Sequence, residues 1–341
     1  WTRYFLWEIA FVALGALVLA AGFLGIRRPS LRRSLIVLLV TVVVSEGINL
    51  GAVMITAYSA PAILAKTHSL SELVGQSEEP PIAPTPGPAD HGVQAVVLGD
   101  STAAGLGGPP TSQPSSLDRA CGRSADAYAT DLAEANSWNV ENLACSGATV
   151  LTGILGPQSL GSLTAPAQLA VAKHAVHARA VFVSIGANDV GWDSIIELCA
   201  VSQSCSNAAL TAYFQTNLDQ FSKNYYQLLG QLADLPGHPR VIVNQYYDPF
   251  DPKLRCLDSV GLDATKEGVL VQRLDALNAV IAKGAHISGF ESVQPDFSGH
   301  EICTAYPYVQ GLDDSAPFHP TASGELAIAL ADEGALRANQ P

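Results

Sequence analysis

The chain has 341 residues, of which 48% are hydrophobic and only 14% charged, and its mean hydropathy is +0.23. That balance is too apolar for two ordinary soluble domains, and it excludes wholesale disorder because so many apolar residues can bury a large core. With 18 Lys plus Arg against 31 Asp plus Glu the net charge is −13, which argues against a nucleic-acid partner because phosphate contacts need clustered basic side chains.

The apolar excess sits at the front. Residues 4–26 form a run whose only charge is Glu8, and residues 34–58 form a second whose only charge is Glu46. At about 1.5 Å per helical residue, each run can cross about 30 Å of hydrocarbon, so residues 1–60 are expected to be a transmembrane helical hairpin. A cleavable signal peptide would supply one shorter stretch. Between the runs stand Arg27, Arg28, Arg32 and Arg33, and positive charge in short loops stays cytoplasmic. Everything after residue 60 is therefore expected on the extracytoplasmic side. Glu8 and Glu46 are costly in a bilayer. The plainer reading lets Glu8 reach water near the outer face and lets Glu46 hydrogen-bond near Asn49.

Residues 61–92 shift to Pro, Glu, Ser and Gly, a composition that reads as an extended linker. Residues 1–92 carry equal numbers of basic and acidic side chains, so the whole net charge belongs to residues 93–341. That stretch suits one α/β domain. Strands are predicted over 94–98, 180–185 and 241–245, and helices over 125–135, 166–176, 208–233, 266–285 and 322–337. Strand and helix in alternation imply a parallel sheet covered on both faces.

All six cysteines (Cys121, Cys145, Cys199, Cys205, Cys256 and Cys303) follow the second apolar run, and an even count in an extracytoplasmic domain points to disulfides. No CxxC or close Cys–His spacing suggests zinc, and no cofactor or metal is expected. His174 and His177 stand three apart on a predicted helix but lack nearby carboxylate or thiol ligands.

Chemistry gathers in four short blocks. The first strand runs into Gly99-Asp100-Ser101, which places a serine hydroxyl where open parallel sheets hold their ligands. The serine N–H and the dipole of the following helix favour a developing anion there. Cys145-Ser146-Gly147 follows the region 138–144, and Gly186-Ala187-Asn188-Asp189 follows the second predicted strand. The Gly147 N–H and the Asn188 amide are donors that can join the Ser101 N–H at a tetrahedral oxyanion. Near the end, Asp313-Asp314-Ser315-Ala316-Pro317-Phe318-His319-Pro320 supplies a base. Asp100 and Asp189 suit turn-fixing hydrogen bonds. Trp192, Tyr246, Tyr247 and Phe250 suit either an acyl groove or the core.

Gly99-Asp100-Ser101, Gly147, Gly186-Ala187-Asn188-Asp189 and His319-Pro320, in that order, resemble the four blocks of the SGNH hydrolases, also called GDSL esterases and lipases. The resemblance covers residues 93–341 and implies a flavodoxin-like α/β/α fold of three layers. It implies Ser101 as nucleophile, His319 as general base, and Ser101, Gly147 and Asn188 as the oxyanion hole, in line with the residue chemistry. The cysteines resemble those of the secreted actinobacterial branch, which implies the pairs Cys121–Cys145, Cys199–Cys205 and Cys256–Cys303. Many family members carry Asp three residues before the histidine, whereas this chain has Ala316. Either Asp313 or Asp314 reaches back, or a backbone carbonyl orients the imidazole as in the resembling branch, the option favoured here. The G-x-S-x-G elbow of the α/β-hydrolases is absent.

These readings point to a membrane-anchored extracytoplasmic serine ester hydrolase acting on an ester-containing lipid or acylated glycan. Acyl transfer to a cell-envelope hydroxyl shares the first half-reaction and is the enzymatic rival. A non-catalytic membrane-complex binding module is the rival of another class.

Overall fold

A computed structural model describes residues 92–338. The expected transmembrane hairpin, with its arginine loop, Glu8 and Glu46, lies outside the described residues, as does the linker up to residue 91. Among the described residues no helix is long and apolar enough to cross a membrane.

In chain order the domain runs through β1 (Ala95–Gly99), α1 (Ser101–Ala104), α2 (Ser116–Cys121), α3 (Tyr128–Asn136) and β2 (Val140–Asn142). A small hairpin of β3 (Gln158–Leu160) and β4 (Leu163–Ala165) precedes α4 (Gln168–Ala172) and β5 (Ala180–Ser184). Then come α5 (Ala187–Val190), α6 (Trp192–Val201), α7 (Ala208–Ala233), β6 (Arg240–Asn244), α8 (Ala264–Ile287), β7 (Glu291–Val293) and α9 (Ala322–Ala338).

Five strands form one parallel sheet in the order β2-β1-β5-β6-β7. Every residue of β1 (AVVLG) and β5 (AVFVS) is buried, as strands covered on both faces require. The chain leaves β1 for β2 on one side and returns to β5 on the other. The loops leaving β1 and β5 therefore diverge, and a crevice opens at the carboxyl ends of these two strands.

The longest helix shows how sequence sets the packing. In α7, Leu210, Phe214, Leu218, Phe221, Tyr225, Leu228 and Leu232 are buried, and their three- and four-residue spacing puts them on one face. Asn207 starts the helix, its side-chain oxygen accepting the Leu210 N–H at 3.0 Å. The Tyr225 hydroxyl donates to the Ile281 carbonyl of α8 at 3.1 Å, locking the two helices in register. Truncating a buried aromatic such as Phe221 in this layer would cost about 3–5 kcal/mol. On α9, Glu325 accepts the Tyr128 N–H of α3 at 2.9 Å.

Three disulfides join Cys121 to Cys145, Cys199 to Cys205 and Cys256 to Cys303. The last ties the loop after β6 to the loop after β7. The predicted helix over 166–176 shrinks to Gln168–Ala172, so His174 and His177 lie in the turns beyond it. Two edge strands, β2 and β7, were absent from the periodicity because each is a half-buried triplet with no apolar run.

Candidate active site

Ser101 opens the crevice. Gly99 ends β1 where a Cβ would lie 2.4 Å from the Ser184 carbonyl oxygen and 2.7 Å from Ala103 Cβ, so only glycine lets the strand end this close to β5. The buried Gln168 side chain clamps it, accepting the Gly99 N–H and donating to the Gly99 carbonyl, both at 2.8 Å. Asp100 is fully buried. One of its oxygens accepts the Thr102 N–H at 3.0 Å and the other accepts the Tyr246 hydroxyl at 2.5 Å. Burial pushes the Asp100 carboxyl up to about 7, against the downward pull of these bonds. The helix after Ser101 is a single turn stopped by Gly105 in the left-handed region. The macrodipole expected there is therefore small, and the local N–H groups are what remains of it.

The second turn follows β2. Its flanking amides are engaged: Ser146 N–H donates to the Cys121 carbonyl and Ala148 N–H to the Cys145 carbonyl. Between them Gly147 is exposed with φ 78°, a backbone conformation that a side chain would strain.

The third turn follows β5 and is knitted to the second. Asn188 donates one amide hydrogen to the Ala148 carbonyl at 2.9 Å, which fixes the direction of the other. Both Asp189 oxygens accept the Val150 N–H at 3.1 Å. Burial raises the Asp189 carboxyl to about 7, with nearby Asp100 adding to the effect. Asp100 and Asp189 are thus turn-fixing groups whose ionised forms burial disfavours.

His319 meets Ser101 from the loop before α9. Its Nε2 lies 2.8 Å from Ser101 Oγ, and its Nδ1 lies 3.1 Å from the Pro317 carbonyl oxygen. A carbonyl only accepts, so the proton belongs on Nδ1 and Nε2 is free to accept from the serine hydroxyl. Phe318 carries this geometry in a left-handed conformation, φ 66°, which costs about 1–3 kcal/mol. Three bonds hold it there: Phe318 N–H to the Gln310 carbonyl at 3.0 Å, the Tyr247 hydroxyl to the Phe318 carbonyl at 2.8 Å, and His319 N–H to the Ala316 carbonyl at 3.1 Å.

Of the options left open for orienting His319, Asp314 is engaged elsewhere. Its carboxylate accepts the Gly311 N–H at 2.7 Å and closes a turn at the surface, while Asp313 is exposed. The imidazole is served by the Pro317 carbonyl, a backbone group with no side-chain signature in the sequence. Tyr246 and Gln168 also act beyond what the sequence suggested, because a tyrosine hydroxyl's partner and a buried glutamine inside a helical pattern cannot be read from spacing.

Ser101, Asn188 and His319 border one cavity of about 50 Å³. Trp192, Tyr247, Pro249, Leu274, Leu277 and Phe318 supply apolar walls. Phe250 is buried behind them against Phe318, at 5.8 Å between ring centroids, and so belongs to the core. Among the described residues no group of three His, Cys, Asp or Glu side chains is arranged to hold a metal ion.

A serine and a histidine in contact at the switch point of a parallel sheet, with Asn188 lining the same cavity, match a known pattern. Residues 97–327 fit the model of the GDSL-like lipase/acylhydrolase family. The chain belongs to this family. Among its relatives, Lipase 1 of Streptomyces coelicolor is 30% identical over 243 residues, covering 67% of this chain and 81% of the relative. The crystal structure of an extracellular lipase from Streptomyces rimosus superposes with a TM-score of 0.60 at 25% identity, over 71% of this chain and 99% of that one. Phospholipase A1 from Streptomyces albidoflavus shares the fold, with a TM-score of 0.55 at 24% identity over 72% of this chain and 98% of that one. The GDSL family is one of lipase and esterase hydrolases, and the α/β fold with a parallel sheet is the one its members share.

Proposed function

We propose that this chain is an extracytoplasmic serine ester hydrolase that works through an acyl-enzyme formed on Ser101. The observation that carries the reading is the Ser101 Oγ to His319 Nε2 contact at 2.8 Å, with Nδ1 held by the Pro317 carbonyl. Ser101 attacks the ester carbonyl as His319 takes its proton. The tetrahedral oxyanion accepts hydrogen bonds from the Ser101 N–H, the Gly147 N–H and the second amide hydrogen of Asn188. Collapse expels the alcohol, which leaves with the proton that His319 returns. Water then repeats the sequence and frees the acid. Asp100 and Asp189 support the turns through their bonds to Thr102, Tyr246 and Val150.

A lipid ester is the substrate class that the relatives favour, since they include proteins described as lipases and a phospholipase A1. The apolar cavity walls suit an acyl chain. Extracytoplasmic placement is supported by the disulfides and by the relative described as an extracellular lipase. The two apolar runs and the arginine loop of residues 1–60 support a membrane anchor, with residues 61–92 as its tether.

A fluorophosphonate probe tests the chemistry. It should label one serine, Ser101, in step with loss of hydrolysis across esters of graded chain length; an unlabelled but folded protein would contradict it. Topology is tested in intact cells, where a tag after Gly92 should be open to external protease. Protection of that tag would overturn the placement.

A further inference from the structure

The Tyr246 hydroxyl stands between two of the catalytic turns. It donates to the Asp100 carboxyl at 2.5 Å and accepts the Ala187 N–H at 3.0 Å. Asp100 directly precedes Ser101, and Ala187 directly precedes Asn188. One buried oxygen therefore joins the residue before the nucleophile to the residue before the side-chain oxyanion donor. These turns leave different strands, and the side-chain bonds of Asn188 to Ala148 and of Asp189 to Val150 run to a different turn. Within the hydrogen bonds of the site, Tyr246 is the direct polar link between the Ser101 turn and the Asn188 turn.

Tyr246 is itself held from behind. Its N–H donates to the Asn278 side-chain oxygen at 2.8 Å, and the Asn278 amide donates to the Tyr246 carbonyl at 2.7 Å. Asn278 is buried on α8, so the bridging hydroxyl is referenced to a 24-residue helix rather than to a loop. Tyr246 also lines the cavity beside Ser101, while its hydroxyl is used by the scaffold.

We infer that Tyr246 is a positioning residue that sets the distance between the Ser101 N–H and the Asn188 amide, and so shapes the oxyanion cradle. This rests on the Ser101 and Asn188 roles proposed above. A cradle built from donors on separate turns is only as good as their spacing. Misplacement by about 1 Å can cost on the order of 10²-fold in rate even when every donor is present. The loss falls on the transition state, where the oxyanion exists, and leaves ground-state ester binding nearly untouched.

The test compares wild type with Tyr246→Phe, which keeps the ring and removes the bridge, using active sites titrated by fluorophosphonate. The expected result is a fall in kcat of about 10-fold to 10²-fold per titrated site with KM within about threefold. A trifluoromethyl ketone, whose serine adduct carries the oxyanion, should lose affinity by the same factor as kcat/KM, a parallel that a merely structural role would not produce. Asp100→Ala provides a second route if Tyr246→Phe folds poorly, because it removes the acceptor of the Tyr246 hydroxyl while leaving every ring in place. The double variant should be no slower than the slower single one, since both changes break the same link. A kcat per site within twofold of wild type in the folded variant, or ketone affinity unchanged while kcat falls, would overturn the inference and leave the serine mechanism standing. A wild-type protein that does not label at Ser101 would overturn both.

Discussion

On the Ser101 side of the site, the turns after β1, β2 and β5 are short and are locked by side chains reaching between them. Gln168 grips Gly99, Asp189 grips Val150, Asn188 grips Ala148, and Tyr246 joins Asp100 to Ala187. The His319 side is different, being the long excursion over residues 294–321, held by main-chain bonds together with side-chain bonds from Tyr247 to the Phe318 carbonyl and from Gln310 to the Leu106 and Pro320 carbonyls. The Pro317 carbonyl meets the imidazole, the Gln310 and Ala316 carbonyls take the Phe318 and His319 N–H groups, and a disulfide staples the loop's earlier part to its neighbour. Donors that must surround a transient charge are thus set by buried polar side chains, where each substitution leaves an unsatisfied partner. The base needs one contact on each nitrogen: the strained turn brings the Pro317 carbonyl to Nδ1, and Ser101 Oγ meets Nε2.

That contrast can be broken from either side. The largest effects belong to the two reacting groups: Ser101→Ala and His319→Ala should each cut ester hydrolysis by about 10³-fold to 10⁶-fold, as the loss of a nucleophile or its base does, measured as kcat/KM. Asn188→Ala should follow with about 10²-fold to 10³-fold on kcat and little change in melting temperature, the cost of one oxyanion donor. Activity within twofold of wild type would mean that the Asn188 bond to Ala148 is its whole role.

A smaller effect sharpens the picture of the locked turns. The Asp100 and Asp189 carboxyls sit near 7 in the folded domain against an ordinary 3.8. The folded state therefore binds more protons than the unfolded chain between those values. Their contribution to stability is complete below about 3.8 and is lost as pH rises through about 7. Asp189→Asn removes one of the two titrations while keeping an acceptor for the Val150 N–H. Its melting temperature should fall by a few degrees less than that of wild type between pH 4 and pH 8. Parallel curves for the two proteins would mean that Asp189 is not a protonated turn clamp.

The two sides also differed in how far the sequence disclosed them. Ser101 and Asn188 stood out because each sits in a short polar block directly after an apolar strand, His319 because it precedes the last helix, and Gly147 through the resemblance of its block. The β1 and β5 cores were legible as continuous apolar runs, and α7 ended where its spacing predicted, at Ala208 and Ala233. What escaped were β2 and β7, too short to show a period, and α6, whose ten residues follow the catalytic turn with no cap to announce them. The partner of His319 was legible only as alternatives, a backbone carbonyl being favoured over the two acids but with no residue assigned to it. Sequence offers acids at Asp313 and Asp314, but the imidazole is reached by a carbonyl that every residue type carries.

The central claim is that the histidine works without an acid. It is tested most directly by kcat/KM of the Asp313→Asn/Asp314→Asn double variant on a soluble ester. The account predicts a value within about tenfold of wild type, because the Pro317 carbonyl still receives the Nδ1 proton and His319 still faces Ser101. A fall of about 10⁴-fold in a folded protein, the loss seen when a triad acid is neutralised, would contradict it and make one of these aspartates the third member.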